Sequence, residues 1–242
     1  HPEDRVYIST DPGDTAEWPL RDSTGAKIIL SDQDSYCYLN DGKQFEGDSI
    51  GILATQHGLV WNSMMAEDMV FFIHTVRNYG ADTVKVVYAG VDADNDVGYA
   101  DDDLLGVDRD LELGYTYTPS QEPGWPAPPP YHVGFVFLQG PKASDTVYVG
   151  PDTTNPDTVI YPGEHLVMTA FKKCTRNIEP MNDREKYLML AGYDFATLEY
   201  NPFDTLDTDP GDKRQILSAG PFSFAPDEVD TFAFAIVFAN GN

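Results

Sequence analysis

The sequence predicts an all-β protein: a two-sheet antiparallel β-sandwich, jelly-roll or immunoglobulin-like, with long acidic loops and one short helix near residues 182–191. Three observations predict it. Twenty glycines and 18 prolines punctuate the 242 residues, as a chain of brief strands and tight turns requires. Aspartate outnumbers glutamate 29 to 11, and aspartate is a poor helix former but a good turn, cap and calcium residue. Thirteen Phe and 14 Tyr supply bulk for a core.

The strand signals follow in order. Met69–Val76 is an apolar run and Asn78–Gly80 a turn. In the second run, Asp82–Ala89, residues Val84, Val86 and Tyr88 share a face by alternation. Together these read as an antiparallel hairpin. Tyr131–Leu138, His165–Phe171 and Thr231–Phe238 are further strands, with Ile28–Leu30 and Asp145–Val149 as shorter ones. One segment argues for a helix: Asn182 can cap it, Asp183 and Glu185 suit its first turn, and Gly192 can close it. Six prolines between 119 and 130 make that stretch an extended surface loop rather than a linker. No repeat or composition shift marks a boundary, so we expect a single domain over residues 1–242, with room for an elaborated edge.

Charge excludes more than it identifies. Forty acids against 15 bases give a formal net charge of −25, which repels phosphate backbones and anionic lipid and argues against nucleic-acid binding. No run of about 18 apolar residues is present, so membrane insertion by a helix is not expected. The first residue is His1, which we read as a mature chain or fragment whose signal peptide has been removed. Cys37 and Cys174 permit one disulfide; two buried thiols are the alternative.

The strongest chemical signal is Asp92, Asp94, Asp96, Asp101, Asp102 and Asp103, six aspartates in 12 residues. Closely spaced carboxylates in a turn can converge on one hard cation, and calcium accepts six to eight oxygens at flexible angles. The glycine, Gly98, comes one place late for an EF-hand and strands flank the loop, so that motif is not expected. Weaker candidates are Asp204, Asp207, Asp209 and Asp212, which turn chemistry also explains, and Asp32 with Asp34, which Asx-turns also explain. No metalloprotease, nucleophile-elbow, nucleotide-loop or paired-cysteine motif occurs. The five histidines (His1, His57, His74, His132, His165) are scattered and suit structural roles. Trp18, Trp61 and Trp125 can stack on sugars or cover a core edge.

Ile29–Cys37, Asp101–Asp108 through Leu113–Tyr115, Val133–Pro141, and Arg214–Phe222 with Ala225–Pro226 resemble segments of large, multi-module secreted bacterial surface proteins. Those proteins often end in a C-terminal sorting domain, and the resemblance runs in consistent order over residues 28–240. It implies secretion and a β-sandwich, and no assigned catalytic residue. Where these relatives carry Gly-Cys-Asp, this chain has Gly106-Val107-Asp108, so a cysteine partner from that loop is absent. Residues 69–91 separately resemble the hairpin of immunoglobulin-like adhesion modules.

The expectation is therefore a non-catalytic extracellular structural or adhesive protein at a bacterial surface, its β-sandwich stabilised by calcium. It would associate with itself or with other surface proteins. One version is the subunit of a homopolymeric filament or surface layer, an end segment such as Val6–Ile8 or Phe232–Phe238 completing a neighbour's sheet. The alternative from another class is a carbohydrate-active enzyme, a glycoside hydrolase, or a carbohydrate-binding module with a glycan partner. A third, an acidic cytosolic protein of a halophile, requires reduced cysteines and aspartates spread evenly rather than gathered.

Overall fold

Alternating and aromatic-rich segments pair into sheets wherever their backbone groups are not claimed by a side chain. The computed structural model describes residues 5–41, 49–126, 128–176, 178–205 and 207–240. Strand accounts for 46% of the chain and helix for 7%, with antiparallel sheets that bear out the all-β class. No helix among the described residues is long and apolar enough to cross a membrane. The chain divides into two compact units: residues 1–85 with 224–235, and residues 86–223 with 236–242.

In the first unit β1 (Tyr7–Ile8), β2 (Gln33–Asn40), β3 (Ile52–Val60) and β4 (Met69–Asn78) are ordered β1-β2-β3-β4 and are continued by β13 (Val229–Asn240). Register places Tyr36 opposite His57 and Gln56 opposite His74. Tyr7, the fully buried Trp18 and Tyr36 form a small core. A single helical turn, α1 (Pro12–Ala16), was not expected; Asp11 caps it by accepting from the Gly13 and Asp14 N–H groups.

Two local expectations fail here. Ile28–Leu30 forms no strand, because its backbone groups are taken elsewhere. The Trp18 indole donates to the Ile28 carbonyl at 2.8 Å, and the Leu30 N–H donates to the Asp34 carboxylate at 2.8 Å. The hairpin across 69–91 is also not formed. The neighbours of β4 are β3 and β13, whereas β5 (Val84–Ala93) lies beside β12 (Lys213–Phe224). Asn78 explains this: fully buried, its amide donates to the Asp82 and Phe224 carbonyls and accepts from Gly80 N–H. A side chain so committed ends β4 without a tight turn.

The second unit holds β6 (Leu104–Asp108), β7 (Leu113–Thr118) and β8 (Tyr131–Gln139), ordered β8-β7-β6 beside the end of β13. A three-stranded sheet, β11 (Ala170–Thr175), β12 and β5, runs in the order β11-β12-β5, and β9 (Val147–Val149) pairs with β10 (Thr158–Ile160). These two larger sheets pack face to face. A Cβ on Gly114 of β7 would lie 2.7 Å from the Phe171 ring of β11 and 2.8 Å from the Leu217 side chain of β12. Both of those side chains are fully buried.

The helix α2 (Asp183–Leu190) forms as expected. Asn182 accepts from the Glu185 N–H, and Glu185 reaches back to the Met181 N–H. At its end Tyr193 N–H bonds to the Leu188 carbonyl and Gly192 N–H to that of Met189, with Gly192 left-handed at φ +82°. The strand expected at His165–Phe171 begins only at Ala170. At Met168 the N–H donates to the Glu112 carboxylate rather than to a ladder.

Both end segments are already paired within the chain. Tyr7 and Ile8 face Tyr36 and Ser35, and Phe232–Phe238 lies inside β13, which has neighbours on both sides. Cys37 and Cys174 are free and buried, so the disulfide is not formed and two buried thiols describe them. Burial pushes the Cys174 thiol up to about 11, which leaves it protonated and unreactive near neutrality.

Candidate metal centre

The aspartate run leaves the three-stranded sheet where β5 ends at Ala93 and enters the larger sheet where β6 begins at Leu104. A 3-10 turn at Ala100–Asp102 closes it, the Asp102 N–H donating to the Tyr99 carbonyl. This turn sends Asp103 inward. Its side chain is fully buried; Oδ2 accepts from the Val97 N–H at 3.2 Å, and Oδ1 has no hydrogen-bond partner. Burial foremost, with Asp102, Asp96 and Glu122 adding like charge, pushes its carboxyl up to about 7.

Glu122 belongs to the proline-rich loop and was not read from the sequence as a site residue. It is buried, and its Oε1 accepts from the Tyr99 N–H at 3.3 Å. It reaches that position over Gly98, whose φ is +84°; a Cβ there would overlap the Glu122 carboxyl. Asp102 is held by the Thr118 hydroxyl at 3.1 Å. Asp102, Asp96 and Glu122 thus place like charge near the buried Asp103 carboxyl, although these four do not bring their oxygens together as a cluster within 4.8 Å.

A second, outer grouping shares Asp96. Carboxylate oxygens of Asp94, Asp96 and Asp212 all lie within 4.8 Å of one another, joining the main run to the weaker acidic segment. At that separation each pair repels by roughly 3 kcal/mol at an effective dielectric of 20, before salt screening. Arg214 already offsets part of this, contacting Asp94 at 3.0 Å, Asp212 at 2.7 Å and Glu179 at 3.2 Å. Asp103 has no such cation among its strongest charged neighbours.

The remaining candidates are dispersed. Asp92 stays on β5, and Asp101 is exposed, accepting from the Tyr99 hydroxyl. Asp204 pairs with the buried Lys172 at 2.7 Å, and Asp207 with Lys213 at 3.1 Å while accepting from the Leu105 N–H. Asp209 is exposed. In the first unit Asp32 accepts from the Asn62 N–H, and fully buried Asp34 serves Leu30, Ser31 and His57. These are structural acids. We expect Asp207→Ala, which strands the buried Lys213 ammonium, to cost about 3–5 kcal/mol in urea unfolding, equally with and without calcium.

The described histidines take structural positions. His74 stacks on Phe232 and Phe234 at 4.8 and 5.4 Å, and His165 bonds to the Gly140 carbonyl. Trp18 is core, Trp61 meets Phe71 edge-on, and Trp125 lies against Tyr131. Comparison with known proteins adds no relative: no family model matches the chain, and no curated protein matches it.

Proposed function

We propose that the chain is a non-catalytic structural or adhesive protein of the bacterial cell exterior whose acidic loop is stiffened by calcium. The observation that carries the reading is Asp103: a fully buried carboxyl with one oxygen unpartnered and only acids as strong charged neighbours. Burying such a group uncompensated costs several kcal/mol. A hard divalent cation held by Asp94, Asp96 and Asp212, whose carboxylate oxygens lie within 4.8 Å of one another, would offset the like charge that Asp96 adds to Asp103, and calcium tolerates the irregular spacing better than magnesium does. The ion would join two stretches of chain, the run after β5 and the segment that leads into β12. Modules that work outside the cell bind calcium with dissociation constants of about 0.1–1 mM, so external calcium suffices. Self-association into a filament or surface layer belongs to the same proposal.

Thermal unfolding in calcium and in chelator, with light scattering alongside, tests both parts. At calcium 100 times its dissociation constant the folded state should gain about 2.7 kcal/mol. Asp96→Asn, which removes one of the three converging carboxylates, should abolish most of that gain. A melting temperature unchanged by chelator would remove the metal, and a monomer persisting at high concentration would remove the polymer.

A further inference from the structure

Away from the acids, the second unit contains a cavity of about 490 Å³ walled by four tyrosines, Tyr88, Tyr148, Tyr193 and Tyr200. That volume lies in the range of small-molecule sites. Three of the rings are held before any ligand arrives. Tyr193 and Tyr200 meet edge-on at 5.2 Å and are joined by a backbone bridge. Tyr88 packs edge-on against Tyr187 at 5.5 Å, and its ring fills the space beside Gly220 that any Cβ would occupy. Tyr148 is half exposed at the wall.

The chemistry of the wall selects its ligand. In a chain with net charge −25, none of the described residues lining this cavity is charged. An anionic ligand meets the repulsive field of the whole protein, and a cationic one has ring faces but no carboxylate to pair with. The polar groups on offer are phenol and threonine hydroxyls, including Thr146 and Thr153, each able both to donate and to accept. Burial pushes the Tyr88 phenol up to about 12, so it stays a protonated donor. Flat rings beside neutral hydroxyls match a molecule with apolar C–H faces and a rim of hydroxyl groups.

We propose that this cavity binds an uncharged saccharide. No carboxylate lines it, and glycoside hydrolysis ordinarily needs two, so the site holds its sugar without cleaving it. The proposal shares no residue with the acidic cluster and stands apart from the calcium reading.

Calorimetric titration of the full chain tests it, with cellohexaose, maltohexaose and chitohexaose as neutral probes. An oligogalacturonate and a proline-rich peptide serve as contrasts. At least one neutral hexasaccharide should bind saturably, and Tyr148→Ala should weaken it about tenfold with the melting temperature unchanged. Tyr200→Phe, which keeps the ring, should weaken it less than Tyr148→Ala. Absence of saturable binding by all three neutral probes would overturn the proposal. So would an affinity untouched by Tyr148→Ala, or tighter binding of the acidic oligosaccharide or the peptide.

Discussion

Phe171→Ala is expected to lower the stability of the second unit by about 3–5 kcal/mol in urea unfolding, the cost of emptying a fully buried aromatic site. The site cannot readily collapse. Phe171 is clamped by its N–H to the Pro202 carbonyl and by the β11–β12 ladder, where it faces Leu217. On the opposite sheet Gly114 presents bare backbone to the ring. Gly114→Ala alone should therefore be destabilising, because its methyl would sit 2.7 Å from that ring. Placed in the Phe171→Ala background, the same methyl enters the vacated space and should recover part of the loss. A double-mutant cycle measures the coupling, which must be favourable if the two sheets face each other as described. Additive effects would contradict that packing.

Asp34→Ala should be nearly as costly in the first unit, about 3–5 kcal/mol. The substitution strips a buried partner from His57 at 2.7 Å and leaves the Leu30 and Ser31 N–H groups without their acceptor. The same residue sets a pH dependence. Burial raises the Asp34 carboxyl, but hydrogen bonds from the Ser31 hydroxyl, the Leu30 N–H and His57 outweigh it and hold the group below its ordinary value. A carboxyl depressed on folding binds fewer protons in the native state. Its stabilisation is therefore complete above the unfolded value of about 3.9 and is lost as pH falls through the lower folded value. Unfolding free energies measured from pH 6 downward should fall more steeply for the natural chain than for Asp34→Ala. Parallel curves would show that Asp34 is not the linked group.

The segments read correctly are those whose signal is local. Met69–Asn78, Tyr131–Gln139 and Val229–Asn240 carry enough apolar and aromatic residues to be strands in almost any context. The helix from Asp183 announces itself through Asn182 and Glu185, whose hydrogen bonds are made within one turn. What went unread depended on distant partners. β3 has polar residues at its centre, and β12 interrupts its apolar run with Gly220-Pro221; neither looks like a strand until its neighbours are in place. Ile28–Leu30 looks like one and is not, because Trp18 and Asp34 consume its hydrogen bonds.

The candidate centre divides in the same way. The density of aspartate from 92 to 103 is visible in the sequence, and so is the glycine that opens its turn. Nothing local distinguishes Asp103 from Asp101, yet the 3-10 turn buries one and leaves the other in water. Glu122 lies in a proline-rich stretch with no acidic pattern, and its approach over Gly98 is a contact between loops. Asp212 joins the outer grouping, whereas Asp204 and Asp207 of the same run are taken by lysines.

By itself the sequence determined the class of fold, the clustering of negative charge and the longer capped helix, α2, because turn residues, carboxylate density and capping act over a few bonds. Tertiary structure alone decided which strands pair, which carboxyl is left buried without a partner and which tyrosines share a cavity. Those outcomes depend on closing long loops, where pairing is won by whichever distant side chains and backbone groups satisfy one another.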